Sequence, residues 1–237
     1  MCTISSLRRA KYKQAAITIT NIVMFSSLAI PKAVVSSKLM MRNSSCLLTP
    51  AAVVVARHIS SIRCISTAVT KMHSLFNSQI TKEMNASQLY LSASIWCDEQ
   101  EYTGMAAFMR LESSEERTHA LEMVDFALKR DFPVELEALQ APHAHWETPE
   151  ALWEDLVQAE KTNSESLYVL ANAAQECQDH ALTTFLMPFH TEQVDAVANM
   201  KTILAKIREE SIAPGMIRQV DAKLSADAKE AEAGSAV

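Results

Sequence analysis

The chain has 237 residues, 28 acidic against 22 basic side chains, and a formal net charge of −6 at pH 7. Only three glycines occur, which argues against repeated tight turns, and five cysteines without a C-x-x-C pair argue against a zinc ribbon, an iron–sulfur cluster or a disulfide scaffold. No Gly-rich phosphate loop and no basic, aromatic-studded face is present, so neither a nucleotide nor a nucleic-acid partner is expected.

The charge is unevenly spread. Residues 1–70 contain no Asp or Glu, nine Lys or Arg and eleven Ser, whereas residues 71–237 hold all 28 acids against 13 bases, a net of 13 − 28 = −15. "RRAKYK" is a positive n-region, and Ala15 to Ile30 is an apolar stretch of h-region type, too short and polar-spotted for a bilayer span. From Pro31 to Val69 the chain stays basic, Ser-rich and acid-free, which is transit-peptide composition. A signal peptide followed by a transit peptide resembles the bipartite leaders of algae with secondary plastids. Residues 1–70 are therefore expected to be removed and the body to reside in a plastid. A mitochondrial presequence is the alternative, and a folded basic domain the other reading. The body, about 71–230, is long enough for one well-packed domain, with an Ala/Glu tail over 231–237 expected to fray.

Apolar residues in the body recur at spacings of 3 and 4, which predicts an all-α fold. A first helix is predicted at about 73–101, ended by "EYTG", and a second at about 104–131, stopped by Pro133. Residues 132–148, with two prolines, form a long connection. Thr148-Pro149, a cap followed by proline at the first helical position, opens a third helix that runs to about 177. A fourth covers about 178–210, with Pro188 expected to kink it, and a short fifth follows "APG" at about 215–228. Short first and third connections around a long second one describe a four-helix bundle with one crossover. Cys97 and Cys177 are expected to be packed thiols on helices.

Each core stripe is interrupted once, in mid-helix, by residues able to bind metal. The second helix reads Met105, Met109, Glu112, Glu116, His119, Met123, Phe126, apolar at both ends and ionisable in the centre. The first reads Phe76, Ile80, Glu83, Ser87, Tyr90; the third Trp153, Leu156, Glu160, Asn163, Leu167; the fourth Leu186, Phe189, Gln193, Ala196, Met200. Carboxylates buried alone in such a layer cost several kcal/mol each or are held protonated, and a cation resolves the conflict. Glu83, Glu116, His119 and Glu160 offer hard oxygens with one imidazole and no thiolate, a set suited to iron or manganese. Glu-x-x-His at 116 and 119 puts both ligands on one helix face, and Glu116 is placed to bridge two metals. A polar core network without metal is the other reading. Tyr90 is expected to be a core tyrosine bonded to the layer. His143 and His145 are expected at the surface of the loop.

The stretches "ITKEMNASQLYLSASIW", "AAFMRLESSEERTHALEM" and "HTEQVDA", with the Glu160 helix, resemble ferritin over nearly all of 73–228. The W-C-D run and the E-x-x-H-A context are similar to bacterial-type non-haem ferritins, some of which occur in diatoms. The resemblance implies a ferroxidase centre with Glu83, Glu116 and His119 on a first iron, Glu116 and Glu160 on a second, Gln193 adjacent and Tyr90 beside it. It further implies a third iron position at Glu112, Glu115, Glu192 and Asp195. A shell of 24 chains is implied, in which Fe(II) is oxidised by O₂ or peroxide and stored as ferric mineral. Haem is not expected: a bacterioferritin would need a second Glu-x-x-His where Gln193-Val-Asp-Ala196 stands, and a ligating Met at Arg117. No membrane partner is expected. Ala196 departs from the bacterial pattern, which has Glu there, and matches that of animal heavy chains. The rival from a different class is a non-catalytic iron-binding or purely structural bundle.

Overall fold

The computed structural model describes residues 50–235, and those residues are helical apart from their connections. Helix α1 spans Pro50–Glu99, α2 Thr103–Lys129, α3 Pro149–Glu176, α4 His180–Arg208 and α5 Met216–Ser235, with a 3₁₀ turn at Glu209–Ser211. The four long helices form the bundle: α1 pairs with α2 and α3 with α4, and α1 also packs on α3. The long crossover over 130–148 is as expected, and α5 docks on α2 and α4.

Two boundaries differ from the sequence reading. Helix α1 begins at Pro50, well before the expected start near 73, because residues 51–72 contain neither glycine nor proline to stop a helix. Most of the expected leader, 1–49, lies outside the described residues. Helix α5 continues to Ser235, past the expected end at 228 and into the tail expected to fray, since alanine and glutamate favour helix. Pro188 lies inside α4, and the start of α3 is as read. The Thr148 Oγ1 accepts from the Ala151 N–H at 3.1 Å with Pro149 at the first helical position.

Helices α1, α2 and α3 end alike, each with a non-glycine residue in the left-handed region: Glu101 (φ 62°), Asp131 (φ 55°) and Gln178 (φ 56°). Behind each, the next N–H reaches back to a carbonyl in the last turn, as Asp179 does to Ala174 at 2.8 Å, which is the Schellman closure. A side chain in that region costs about 1 kcal/mol or more. Gln178 is exposed. Gln178→Gly is therefore expected to stabilise by about 1 kcal/mol, raising Tm by roughly 2–4 °C in calorimetry. An unchanged or lower Tm would show that the helix ending is not strained.

The crossover is tied along one face of α1. Asn77 accepts from the Glu135 N–H (3.0 Å) and donates to the Pro133 carbonyl (2.8 Å), Asn85 accepts from the Gln140 N–H (2.9 Å), and Ser92 donates to the His143 carbonyl (2.7 Å). These anchors recur about every two turns, so they share a face. On the α3 side, one Asp155 oxygen meets both His143 Nδ1 (3.0 Å) and the Trp146 N–H (3.1 Å). Cys97 is buried, and Cys177 is half-buried at the end of α3.

The apolar core is split in two. One cluster gathers Trp96, Met105, Met109, Trp153, Leu156 and Met200; the other gathers Phe76, Ile80, Met123, Leu167, Leu170 and Leu186. Between them the four helices supply polar side chains, and there the candidate site lies.

Candidate metal centre in the bundle

Helix α1 presents Gln79, Glu83 and Ser87 to this layer, α2 Ser113 and Glu116, and α3 Glu160 and Asn163, all buried. His119 on α2 and Gln193 on α4 are half-buried at its margin. Two serines set the spacing of α1 and α2. Ser87 donates to the Ser113 carbonyl (2.7 Å), and Ser113 donates to the Ser87 carbonyl (2.8 Å). That reciprocal pair brings the backbones together one turn from Glu83 and from Glu116.

Glu83, Glu116 and His119 each place one ligand atom within 4.8 Å of the others. His119 Nδ1 stands 3.7 Å from Glu116 Oε2, too far for a hydrogen bond, and its Nε2 is 3.2 Å from Glu192 Oε2. The ring packs on Phe189, with centroids 5.2 Å apart. Glu160 lies outside that triangle. Tyr90 OH and Gln193 Nε2 donate to its two oxygens, and Gln193 Nε2 also reaches its backbone carbonyl at 3.1 Å. Tyr90 is therefore bonded to the layer as expected, and the Gln193 amide nitrogen is turned to Glu160.

Glu116 differs from the other two carboxylates. Its Oε2 is buried and, among the described residues, has no hydrogen-bond partner. An orphaned buried carboxylate oxygen is costly unless a proton or a cation meets it. Burial pushes the Glu116 carboxyl up to about 8, with Glu160, Glu112 and Glu115 adding to it. Burial, then Glu115 and Glu160, pushes Glu112 to about 8 as well. Glu83 is raised by burial and by the neighbouring Glu116, and Glu160 is raised by burial against the hydrogen bonds of Tyr90 and Gln193. Such a layer holds protons or a cation near neutral pH.

The four residues expected at a third position do come together. Glu112, Glu115, Glu192 and Asp195 line one cavity of about 380 Å³ with Glu116, His119, Gln193 and Ala196. Two members of the layer, Ser113 and Gln79, are not among the residues expected from the sequence. Gln79, buried one turn before Glu83, donates to Glu83 Oε1 at 2.7 Å. Its signal was legible, since 79 follows 76 and precedes 83 at the same 3/4 spacing.

This architecture has relatives. The family described as Ferritin-like domain matches residues 74–209, more than half of the chain. A bacterial non-heme ferritin of Bacteroides fragilis (strain 638R) is 32% identical over 138 residues, covering 58% of this chain and 87% of that protein. Ferritin BfrB of Mycolicibacterium smegmatis is 32% identical over 135 residues, covering 57% and 75%. Among solved structures, apo-ferritin from Pseudo-nitzschia multiseries is 48% identical with a TM-score of 0.62, covering 64% of this chain and 96% of that one. An iron-soaked variant of PmFTN is 46% identical with a TM-score of 0.63, covering 65% and 98%. With the bundle, its crossover and the family match agreeing, the chain belongs to the ferritin family, on the side of the bacterial-type non-haem ferritins.

Proposed function

We propose that the chain stores iron: it oxidises Fe(II) at a two-metal centre inside each bundle and deposits ferric mineral within a shell of 24 copies. The observation that carries this reading is the Glu83–Glu116–His119 triangle, two of its three corners buried, with a Glu116 oxygen that has no hydrogen-bond partner among the described residues. Glu83, Glu116 and His119 take the first Fe(II), and Glu116 and Glu160 the second, with Glu116 between them. Each Fe(II) gives one electron to O₂ or peroxide. Anionic oxygen ligands favour this direction, because they stabilise the higher charge of Fe(III). Tyr90 and Gln193 orient Glu160 from opposite oxygens. The cavity of Glu112, Glu115, Glu192 and Asp195 supplies a third iron position and a route onward from the centre.

Adding Fe(II) in air, with ferric absorbance in the ultraviolet and O₂ uptake followed together, tests the oxidation; the mass in solution tests the shell. Iron binding without O₂ uptake above buffer would leave the non-catalytic iron-binding bundle instead.

Ala196 lines the same cavity as the third-position acids and Glu116. Ala196→Glu adds a carboxylate there, so iron-soaked crystals are expected to show higher occupancy at the second and third positions than the parent does. The iron-free variant should melt at a lower temperature, because a further half-buried charge lacks a partner. Equal occupancies in the two proteins would remove position 196 from control of the centre.

A further inference from the structure

Glu83 is held unlike an ordinary buried carboxylate. Gln79 Nε2 donates to its Oε1 at 2.7 Å, and Asn163 Nδ2 donates to its Oε2 at 3.1 Å. The two amides are joined, Gln79 Nε2 also donating to Asn163 Oδ1 at 2.6 Å. Ser166 completes the chain, its hydroxyl donating to Gln79 Oε1 at 2.5 Å, which turns the Gln79 amide nitrogen toward Glu83. Gln79, Glu83 and Asn163 are all buried. The donors come from two helices, α1 and α3, whereas the other two ligands of the triangle, Glu116 and His119, stand on α2.

Resting on the metal-centre reading above, we propose that Gln79 and Asn163, oriented by Ser166, are positioning residues that fix Glu83 as a pre-aimed ligand and so set the affinity of the first metal ion. Each carboxylate oxygen keeps lone-pair capacity beyond the one amide bond it accepts, so the clamp and a metal are compatible. The amides fix the rotamer and so hold the remaining lone pairs of the carboxylate in one direction, as outer hydrogen bonds do for metal ligands generally. Glu160 receives the corresponding service from Tyr90 and Gln193, a separate set of donors. Disturbing the Glu83 clamp should therefore weaken one ion and spare the other. Asn163 has a second effect. It also lines an outer groove of about 560 Å³ with Lys82, Asn85, Gln158 and Thr162, and so stands between Glu83 and solvent on that side.

The test uses the full chain and Co(II), added stepwise without iron and followed by its visible absorption. The tight phase of binding is identified as the first ion by its loss in His119→Ala. Asn163→Leu and Gln79→Met each remove a donor with little change in volume. Each is expected to weaken the first ion by about 10–100-fold while moving the second by no more than about 2-fold. Ser166→Ala, a mild change at a half-buried position, should weaken the first ion several-fold, and it decides the matter if the other two variants fail to fold. A lower melting temperature with both affinities unchanged, or with both reduced equally, would reduce the clamp to a packing role and overturn the proposal. Parent protein that binds no Co(II) tightly would instead overturn the metal-centre reading beneath it.

Discussion

Glu116→Ala and His119→Ala are each expected to abolish the fast phase of Fe(II) oxidation while the shell still assembles. Altering groups that merely orient a ligand typically costs 10–100-fold in affinity or activity, so losing a direct ligand should cost on the order of 100-fold or more. Glu116 should be the more damaging site, because in the proposed centre it would serve both ions. Folding should survive. Glu116→Ala removes a buried oxygen that lacks a partner, and His119 is only half-buried against Phe189. The check is stopped-flow ferric absorbance on fractions of parental mass. A fast phase of parental rate in both variants would end the ferroxidase assignment.

Iron-free protein should lose thermal stability as the pH rises from about 5 to 8. Glu112 and Glu116 have folded values of about 8 against an ordinary 4.5. Between those values the folded chain retains protons that the unfolded chain has released, so rising pH favours unfolding. The stability linked to these groups is fully present below about 4.5 and is lost as the pH passes through about 8. Metal reverses the trend, because it binds the deprotonated ligands and binds them better at high pH. At a thousandfold excess over Kd, a bound ion adds about 4 kcal/mol, and Tm should rise by roughly 8 °C or more. Calorimetry at pH 5.5 and pH 8, with and without Co(II), measures both arms. Glu116→Gln should melt higher than the parent at pH 8 without metal, since the neutral amide has no charge to bury. A metal-free parent as stable at pH 8 as at 5.5, matched by the Gln variant, would contradict the linkage.

The ionisable centre was legible because periodicity alone turns Glu83, Glu116 and Glu160 inward, where isolated charge is untenable. Thr148-Pro149 was legible because a cap and a proline each act locally. The start of α1 was not. Composition marks residues 50–70 as leader, yet a helix extends wherever nothing stops it, whatever the fate of the segment. Gln79 sits on the periodic stripe, but glutamine on a helix is ordinarily solvated, and only the position of Asn163 on another helix shows where its amide goes. The orphaned Glu116 oxygen is likewise a property of four helices together, which no single stripe encodes.

Helix α2 begins without a capping side chain from its own neighbour, Tyr102. The missing acceptor arrives from the far end of the sequence: Asp221 Oδ1 takes the Met105 N–H at 2.8 Å. There α5 lies so near that a β-carbon on Gly104 would stand 1.8 Å from the Asp221 carbonyl oxygen. The bare glycine is what admits the contact. A contact across 116 residues carries a loop-closure cost that contacts within a helix do not, so it is expected to close after the local helices have formed. The first turn of α2 should therefore exchange its amide hydrogens as one unit with α5, rather than with the bundle it belongs to. The start of the helix that bears Glu116 and His119 is thus completed by a segment 116 residues further along the chain.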